Sequence, residues 1–450
     1  MGVHAGHAQI CGNWKAIDSV RASSSFPLMP IRRMVSGSVC VLFALGFAVT
    51  AAGEDILQNL PVGVYLQKRT EVGADQRKAF GQKLGGAIED MNNSVLQVQG
   101  RPIQANVITA ASAADAEAIW NSLLKIKGAA FCVRKDRVVV EFAGKDIDTA
   151  LATKTTYELK LMPKPSHVRY RVMAELLLVD QADYMACNAL FEKYLEQRAG
   201  DDKRTASEIE ALVQRFKFGK TLTLRHPKLN ESASKFSFET TPDQTEESGC
   251  GVRYHFLNPP VFRDVPYVKA TLEVSTNDSG FSGNATAPDA KLIQATPYWP
   301  VNDVKIKELA AQITTNKSGN DAKASAILAW LAPGKNLRYT GVTGSRWGTL
   351  KVLEQKFGHC WDFSDCFVTL CRAAGVPCRQ VAGWLFGSSG HVWAEYYREG
   401  KGWQQVDPTG GGVLPCGIYH IAYFTSEDGE MPIVYLAMPK IEIVETDYAK

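Results

Sequence analysis

Residues 357–411, FGHCWDFSDCFVTLCRAAGVPCRQVAGWLFGSSGHVWAEYYREGKGWQQVDPTGG, constrain the fold more than any other part of this 450-residue chain. From Cys360 onward, Phe363, Phe367, Leu370, Cys371 and Ala374 recur at steps of three and four, the spacing of one helix face. Gly375 and Val376-Pro377 supply the left-handed end residue and the proline that stop such a helix, and Gly358 breaks the preceding run of Leu350, Leu353 and Phe357. Cys360 therefore falls in the first turn. A strand from Val376 to Phe386 follows, then an alternating strand from His391 to Tyr397, a turn at Arg398-Glu399-Gly400 and a return strand from Lys401 to Asp407. The expected fold class is α+β, with this helix packed by its apolar face on an antiparallel sheet.

Three chemical groups converge in that arrangement. A thiol in the first turn of a helix feels the positive end of the helix dipole, which favours thiolate. The backbone N–H groups of Cys360 and Trp361 are placed to receive an oxyanion. With a three-residue hairpin loop, Tyr397 faces Lys401 and His391 faces Asp407. A five-residue loop makes the latter two diagonal neighbours on one face, and a four-residue loop puts them on opposite faces. The candidate catalytic set is Cys360 as nucleophile, His391 as general base and acid, and Asp407 as the group that orients the imidazole. Each alone has a plain structural alternative: a small core cysteine, a satisfied strand histidine and an Asp-Pro turn. Trp347, Trp361 and Trp393 are candidates to line the site.

Gly358-His359-Cys360-Trp361-Asp362-Phe363, the run LCRAAGVPCR from Leu370, Gly383-Trp384, His391-Val392-Trp393-Ala394-Glu395 and WQQVDPT from Trp403 together resemble the core of the transglutaminase-like superfamily. The similarity spans residues 299–418 and includes two upstream helical segments, Asp321 to Tyr339 and Leu350 to Phe357. The resemblance implies a papain-like Cys, His, Asp site in this chain order, acting on a protein or peptide carbonyl. Amine would resolve the acyl-enzyme in a crosslinker, and water in a protease or amidase; a non-catalytic scaffold is the remaining alternative. Two departures stand out. The loop between Trp384 and His391 is short, and Trp347 does not match the spacing of the tryptophan that animal transglutaminases place beside the oxyanion. No acidic loop has calcium-ligand spacing, no cysteines form a CxxC or Cys/His zinc pattern, and neither a metal nor a cofactor is expected.

Met29 to Met34 is basic, Val35 to Val49 is apolar, and Thr50 to Gly53 offers small residues, the plan of a secretory signal peptide. The apolar run is shorter than the roughly 20 residues of a membrane span, so no stable span is expected after cleavage and the product is expected to be secreted or periplasmic. The true start is expected at Met29 or Met34. Without residues 1–52 the chain is formally neutral, so no basic face for nucleic acid is implied. Cys132, Cys187, Cys250, Cys366, Cys371, Cys378 and Cys416 accompany Cys360; a Cys378–Cys416 bridge is possible in an oxidising compartment, and Cys371 is expected in the core. The remaining length divides into a small α+β domain at 54–164, a second at 165–290 ending in a polar, glycine-rich loop from Thr276 to Asn284, and the catalytic region at 291–450. The roles of the first two, and the oligomeric state, are not legible. His167, His226 and His255 are expected to be structural, His359 to belong to a turn, and His420 to be the one rival to His391.

Overall fold

The computed structural model describes residues 56–448 apart from 182–216 and the short stretches 59, 62–63, 99–100, 129–130, 145–146, 230–233, 263–264, 284–287, 341–345, 389, 411–415, 432–434 and 436–437. The proposed leader, and the helices expected at Tyr184–Arg198 and Ala206–Phe216, lie outside the described residues. Among the described residues no helix is long and apolar enough to cross a membrane.

The front layer runs β1 (Val64–Glu71), α1 (Ala74–Leu84), β2 (Ile88–Val98), β3 (Arg101–Ala110), α2 (Ala113–Lys127), β4 (Cys132–Lys135), β5 (Val138–Ala143) and α3 (Thr149–Glu158). Its strands form one antiparallel sheet in the order β1-β2-β3-β5-β4. Period-two alternation serves two cores. On one face Met91, Ile108 and Val139 meet Ile119 and Leu123 of α2, and on the other Leu96, Ile103 and Val140 meet Leu151 and Ala152 of α3. Asp148 starts α3 by accepting the Leu151 N–H at 2.7 Å, a side-chain cap for an otherwise unpaired donor.

The middle layer contains β6 (His167–Leu177), β7 (Thr221–Arg225), β8 (Lys235–Phe238), β9 (Gln244–Ser248), β10 (Gly251–His255), β11 (Val265–Asn277) and β12 (Phe281–Gly283). In β6 every second residue, Val168, Tyr170, Val172, Ala174 and Leu176, is buried, as the long alternating pattern predicts. The polar stretch expected to be one loop is instead divided. Thr276 and Asn277 end β11, Gly280 turns the chain with φ of 62°, and β12 pairs with a catalytic strand. A side chain at Gly280 would run into the Cys416 carbonyl, so the close backbone approach there requires glycine.

The last region comprises α4 (Val304–Ile313), α5 (Gly319–Leu331), β13 (Arg338–Tyr339), α6 (Thr349–Gln355), β14 (Phe357–Gly358), α7 (Cys360–Ala373), β15 (Cys378–Leu385), β16 (Gly390–Arg398), β17 (Gly402–Val406), β18 (His420–Ser426) and β19 (Lys440–Asp447). The site sheet has the order β12-β17-β16-β15-β18. Strand β19 lies in the catalytic region by sequence, yet it hydrogen-bonds to β6, completing a second sheet, β8-β11-β6-β19.

Helix α7 buries more than the single face its pattern predicts: every residue from Cys360 to Arg372 is buried. Its apolar side meets Ile306, Ile327, Leu328 and Val352. Its polar side is satisfied internally. Ser364 donates to the Trp393 carbonyl at 2.7 Å, Asp365 receives the Arg346 fork at 2.7 Å and the Trp299 indole N–H at 2.9 Å, and Arg372 reaches the Cys378 carbonyl at 2.9 Å. Buried polar groups persist only with such partners. The helix ends where expected, with Gly375 at φ of 77°. Cys371 is buried as expected, and Cys378 and Cys416 are free thiols rather than a bridge.

Candidate active site

The position of Cys360 is set by Asp362, two residues after it. Asp362 reaches back to accept the His359 N–H at 3.0 Å and the Trp347 N–H at 2.8 Å, which pins the start of α7 to the preceding loop. Any side chain at Gly358 would collide with Asp362, 2.6 Å from its Cβ, so the glycine is needed for this reach. Cys360, 6% exposed, thus occupies the first turn of α7 as a buried residue.

Across from it, β16 and β17 pair with Tyr397 opposite Trp403 and Ala394 opposite Val406. This is the diagonal register. His391 and the residue just after β17, Asp407, lie on one face, and His391 Nε2 is 2.8 Å from Asp407 Oδ2. Asp407 is held in turn by the Thr409 N–H at 2.9 Å and the Thr409 hydroxyl at 2.6 Å, an Asx turn made by the Asp-Pro-Thr sequence. With Nε2 committed to Asp407, Nδ1 is the ring nitrogen left to act on Cys360, and each of the two groups favours the charged form of the other.

Electrostatics follow this geometry. Burial pushes the Cys360 thiol up, but hydrogen bonds from His359 and His391 and the charge they carry outweigh it and bring the group down to about 6. Burial opposes charge on His391, but the Asp407 carboxylate and the sulfur raise it to about 10. Burial also opposes charge on Asp407, and the two imidazoles reverse this and hold it well below the usual carboxylate range. The favoured state near neutral pH is thiolate beside imidazolium.

His420 shares the carboxylate of Asp407 with His391. Its Nε2 lies 3.1 Å from the same Asp407 Oδ2, so it is a second brace for the carboxylate, and burial lowers its pKa. His391 Nε2, Asp407 Oδ2 and His420 Nε2 lie within 4.8 Å of one another, a proximity that a cation could use; two hydrogen bonds to one oxygen account for it.

The tryptophans divide. Trp361 sits beside the nucleophile with the Arg346 guanidinium 5.0 Å above its ring. Trp393 is fully buried, donates to Gln405 at 2.8 Å and packs behind both imidazoles, 6.1 Å from His391 and 5.1 Å from His420. It supports the site from within rather than lining a cleft. Trp347 packs edge-on against Phe357 and contributes its backbone N–H to Asp362.

Sequence reasoning missed Tyr339 and undervalued His359. The short parallel pair β13–β14 places Tyr339 opposite Gly358, two residues before the nucleophile. Its hydroxyl is 3.1 Å from His359 Nδ1, its ring is tilted over His359 at 4.6 Å, and burial together with the Cys360 charge raises its pKa. His359 favours the Cys360 thiolate rather than serving only as turn. A two-strand parallel bridge has no sequence signature, so nothing marked Tyr339 in advance. Tyr339→Phe removes the hydroxyl partner of His359, the residue that favours the thiolate, and charge-assisted hydrogen bonds of this kind contribute roughly 1.5 kcal/mol. The alkylation rate of Cys360 at pH 6 is expected to fall about tenfold; an unchanged rate would leave Tyr339 a packing role only.

Residues 307–408, which carry all three groups, match the family model described as the transglutaminase-like superfamily. This segment is a transglutaminase-like domain. It is similar to peptide-N(4)-(N-acetyl-beta-glucosaminyl)asparagine amidase of Gallus gallus, 30% identical over 99 residues, 22% of this chain and 14% of that protein. It is also similar to protein-glutamine gamma-glutamyltransferase of Pseudomonas aeruginosa, 31% identical over 71 residues, 13% of this chain and 11% of that protein. The chain thus spans a small part of the length of either relative. Among solved structures, the periplasmic domain of TgpA from Pseudomonas aeruginosa aligns with a TM-score of 0.28 and 13% identity, covering 55% of this chain and 88% of that one. In the transglutaminase-like domain seen here, the helix that carries the cysteine and the sheet that carries the histidine have the α+β arrangement expected from the sequence.

Proposed function

We propose that Cys360 is the nucleophile of an acyl transfer on a protein or peptide carboxamide, with no cofactor. The observation that carries this is the row Cys360, His391, Asp407, with the imidazole 2.8 Å from the carboxylate and the thiol shifted toward thiolate by His359 and His391. The sulfur attacks the carbonyl carbon, and the oxyanion is received by the N–H groups of Cys360 and Trp361. Imidazolium His391 then gives its Nδ1 proton to the departing ammonia or amine, leaving a thioester. An incoming amine or water attacks the thioester, gives its proton to His391 and frees the thiolate. The names of the two relatives denote chemistry at a modified asparagine amide and at protein glutamine, which supports a side-chain carboxamide as the acyl donor.

The basic and apolar residues 29–53 support a secreted or periplasmic location. The proposal is tested by incubating the protein with a glutamine-containing peptide and a labelled primary amine. Amine incorporation would assign transfer, and ammonia release or chain cleavage without incorporation would assign hydrolysis. Cys360→Ala should abolish either product; equal turnover by wild type and Cys360→Ala would overturn the assignment. Iodoacetamide labelling of Cys360 should rise through pH 6 rather than near the ordinary thiol value. It should change again as His391 loses its proton near pH 10. A single rise near pH 9 would show an unactivated thiol.

A further inference from the structure

Among the buried cations that the chemistry above does not use, Lys154 comes from the front layer. Lys154, on α3, is 1% exposed, although lysine is among the residues least often buried. Its helix is held against the site from two directions. Arg101 of β3 donates to the Gly387 carbonyl at 3.0 Å in the loop leading to β16, and Gly387 itself lies so close to Ala150 and Leu151 that a Cβ there would be 3.1 Å from the α3 backbone. Tyr157 of α3 belongs to the same buried cluster as Cys360, Trp361 and Val392. The Lys154 ammonium stands 4.5 Å from the centre of the Tyr419 ring, next in sequence to His420, which braces Asp407 at 3.1 Å.

We infer that Lys154 is a positioning residue for the catalytic site: its ammonium, delivered by α3, acts on Asp407 and His420 from behind, so the front layer is part of the catalytic apparatus rather than a separable module. The inference rests on the Cys360, His391 and Asp407 assignment proposed above.

Two physical points support it. A buried ammonium is costly unless charge or a ring face offsets the lost hydration. Here the Tyr419 face is one such group, and the charges of Glu158 and Asp407 are others, with Lys164 and His420 opposing them. Lys164 also lies over Tyr419, at 4.9 Å, and pairs with Glu158 at 3.7 Å, so the set is closed by an acid of α3 itself. Burial is the largest influence and brings Lys154 down to about 7, and Glu158 and Asp407 act against it. The amine therefore changes charge in the range in which the site works. When protonated, it favours the Asp407 carboxylate, opposes charge on His420 and leaves His391 as the imidazole that carries the proton.

The test uses the full chain and reads Cys360 alkylation by iodoacetamide against pH, together with melting temperature. Removing a cation near the site raises the pKa of neighbouring acids. In Lys154→Met the rise in labelling is expected about half a unit or more toward alkaline pH, and kcat for the carboxamide substrate is expected to fall about tenfold with KM nearly unchanged. Lys154→Arg, which keeps the charge, should recover part of both. If Lys154→Met does not fold, Lys154→Gln is read in the same way. A labelling profile that overlays the wild type in a folded, uncharged variant overturns the inference, even if the melting temperature moves, because a purely structural lysine would change stability alone. Failure of the underlying assignment looks different: in that case wild type and Cys360→Ala show the same labelling, whatever stands at position 154.

Discussion

His391→Ala is expected to lower kcat/KM roughly a thousandfold while leaving the protein folded. The imidazole both holds the thiolate and moves the proton to the leaving group, so its loss removes two functions at once. Stability is expected to change by only about 1 kcal/mol. The reason lies in what Asp407 keeps. Without His391 the carboxylate still has His420 at 3.1 Å and the Thr409 N–H and hydroxyl at 2.9 and 2.6 Å, so no buried acceptor is orphaned. Steady-state kinetics with the carboxamide substrate, and a thermal melt of the same preparation, check both halves. A fall of many degrees in melting temperature would make His391 a structural residue and remove the basis of the proposed chemistry.

The largest expected effect on stability is at Glu395, two residues beyond Trp393. It is fully buried on β16 between two arginines: Arg379 Nε at 2.5 Å from β15 and Arg225 Nη2 at 2.7 Å from β7. Arg379 continues to Glu427 at 3.3 Å, and Glu427 to Lys291 at 2.9 Å, so alternating charge runs from the junction of the sheets to the surface. Burial raises the Glu395 pKa, but Arg225 and Arg379 reverse this and hold the carboxyl at about 2. Glu395→Gln keeps the shape but leaves two buried guanidinium groups without a counter-charge, for which roughly 3–5 kcal/mol of destabilisation is expected. Urea unfolding at pH 7 measures it. The sign with pH is also fixed. Because the folded pKa is below the unfolded value of about 4.3, the wild-type contribution is complete above that value and is lost as pH falls toward 2. The difference between wild type and Glu395→Gln should therefore shrink in acid. A variant as stable as wild type at pH 7 would mean that the arginines find other partners.

The catalytic segment was legible because its parts are local. A helix start, an alternating strand and a hairpin are each written in adjacent residues, and they carry Cys360, His391 and Asp407 to one place. The register was the open point, and the observed pairing of Tyr397 with Trp403 is the diagonal case. Contacts between distant segments had no such signal. Tyr339 meets His359 through a two-residue parallel bridge, His420 reaches Asp407 only because β18 returns beside β15, and Lys154 arrives from a helix more than two hundred residues upstream of both histidines. Arg225 ends a short strand, and its buried partner on another sheet leaves no trace in the local pattern. The full burial of α7 was hidden for a related reason: its polar residues look solvent-facing until Arg346, Trp299 and Trp393 are seen to cover them.

The pairing of β19 with β6 has a consequence for how this protein is made. During synthesis from the amino end, β6 and β11 are available to join long before residues 440–447 emerge, and until then one margin of β6 carries unmet N–H and C=O groups. Such a margin invites wrong partners. Closing it brings together segments some 280 residues apart, as in the pairing of Asp447 with His167, a separation that slows folding. β19 can join β6 only after the intervening chain, which carries the candidate site, has been made.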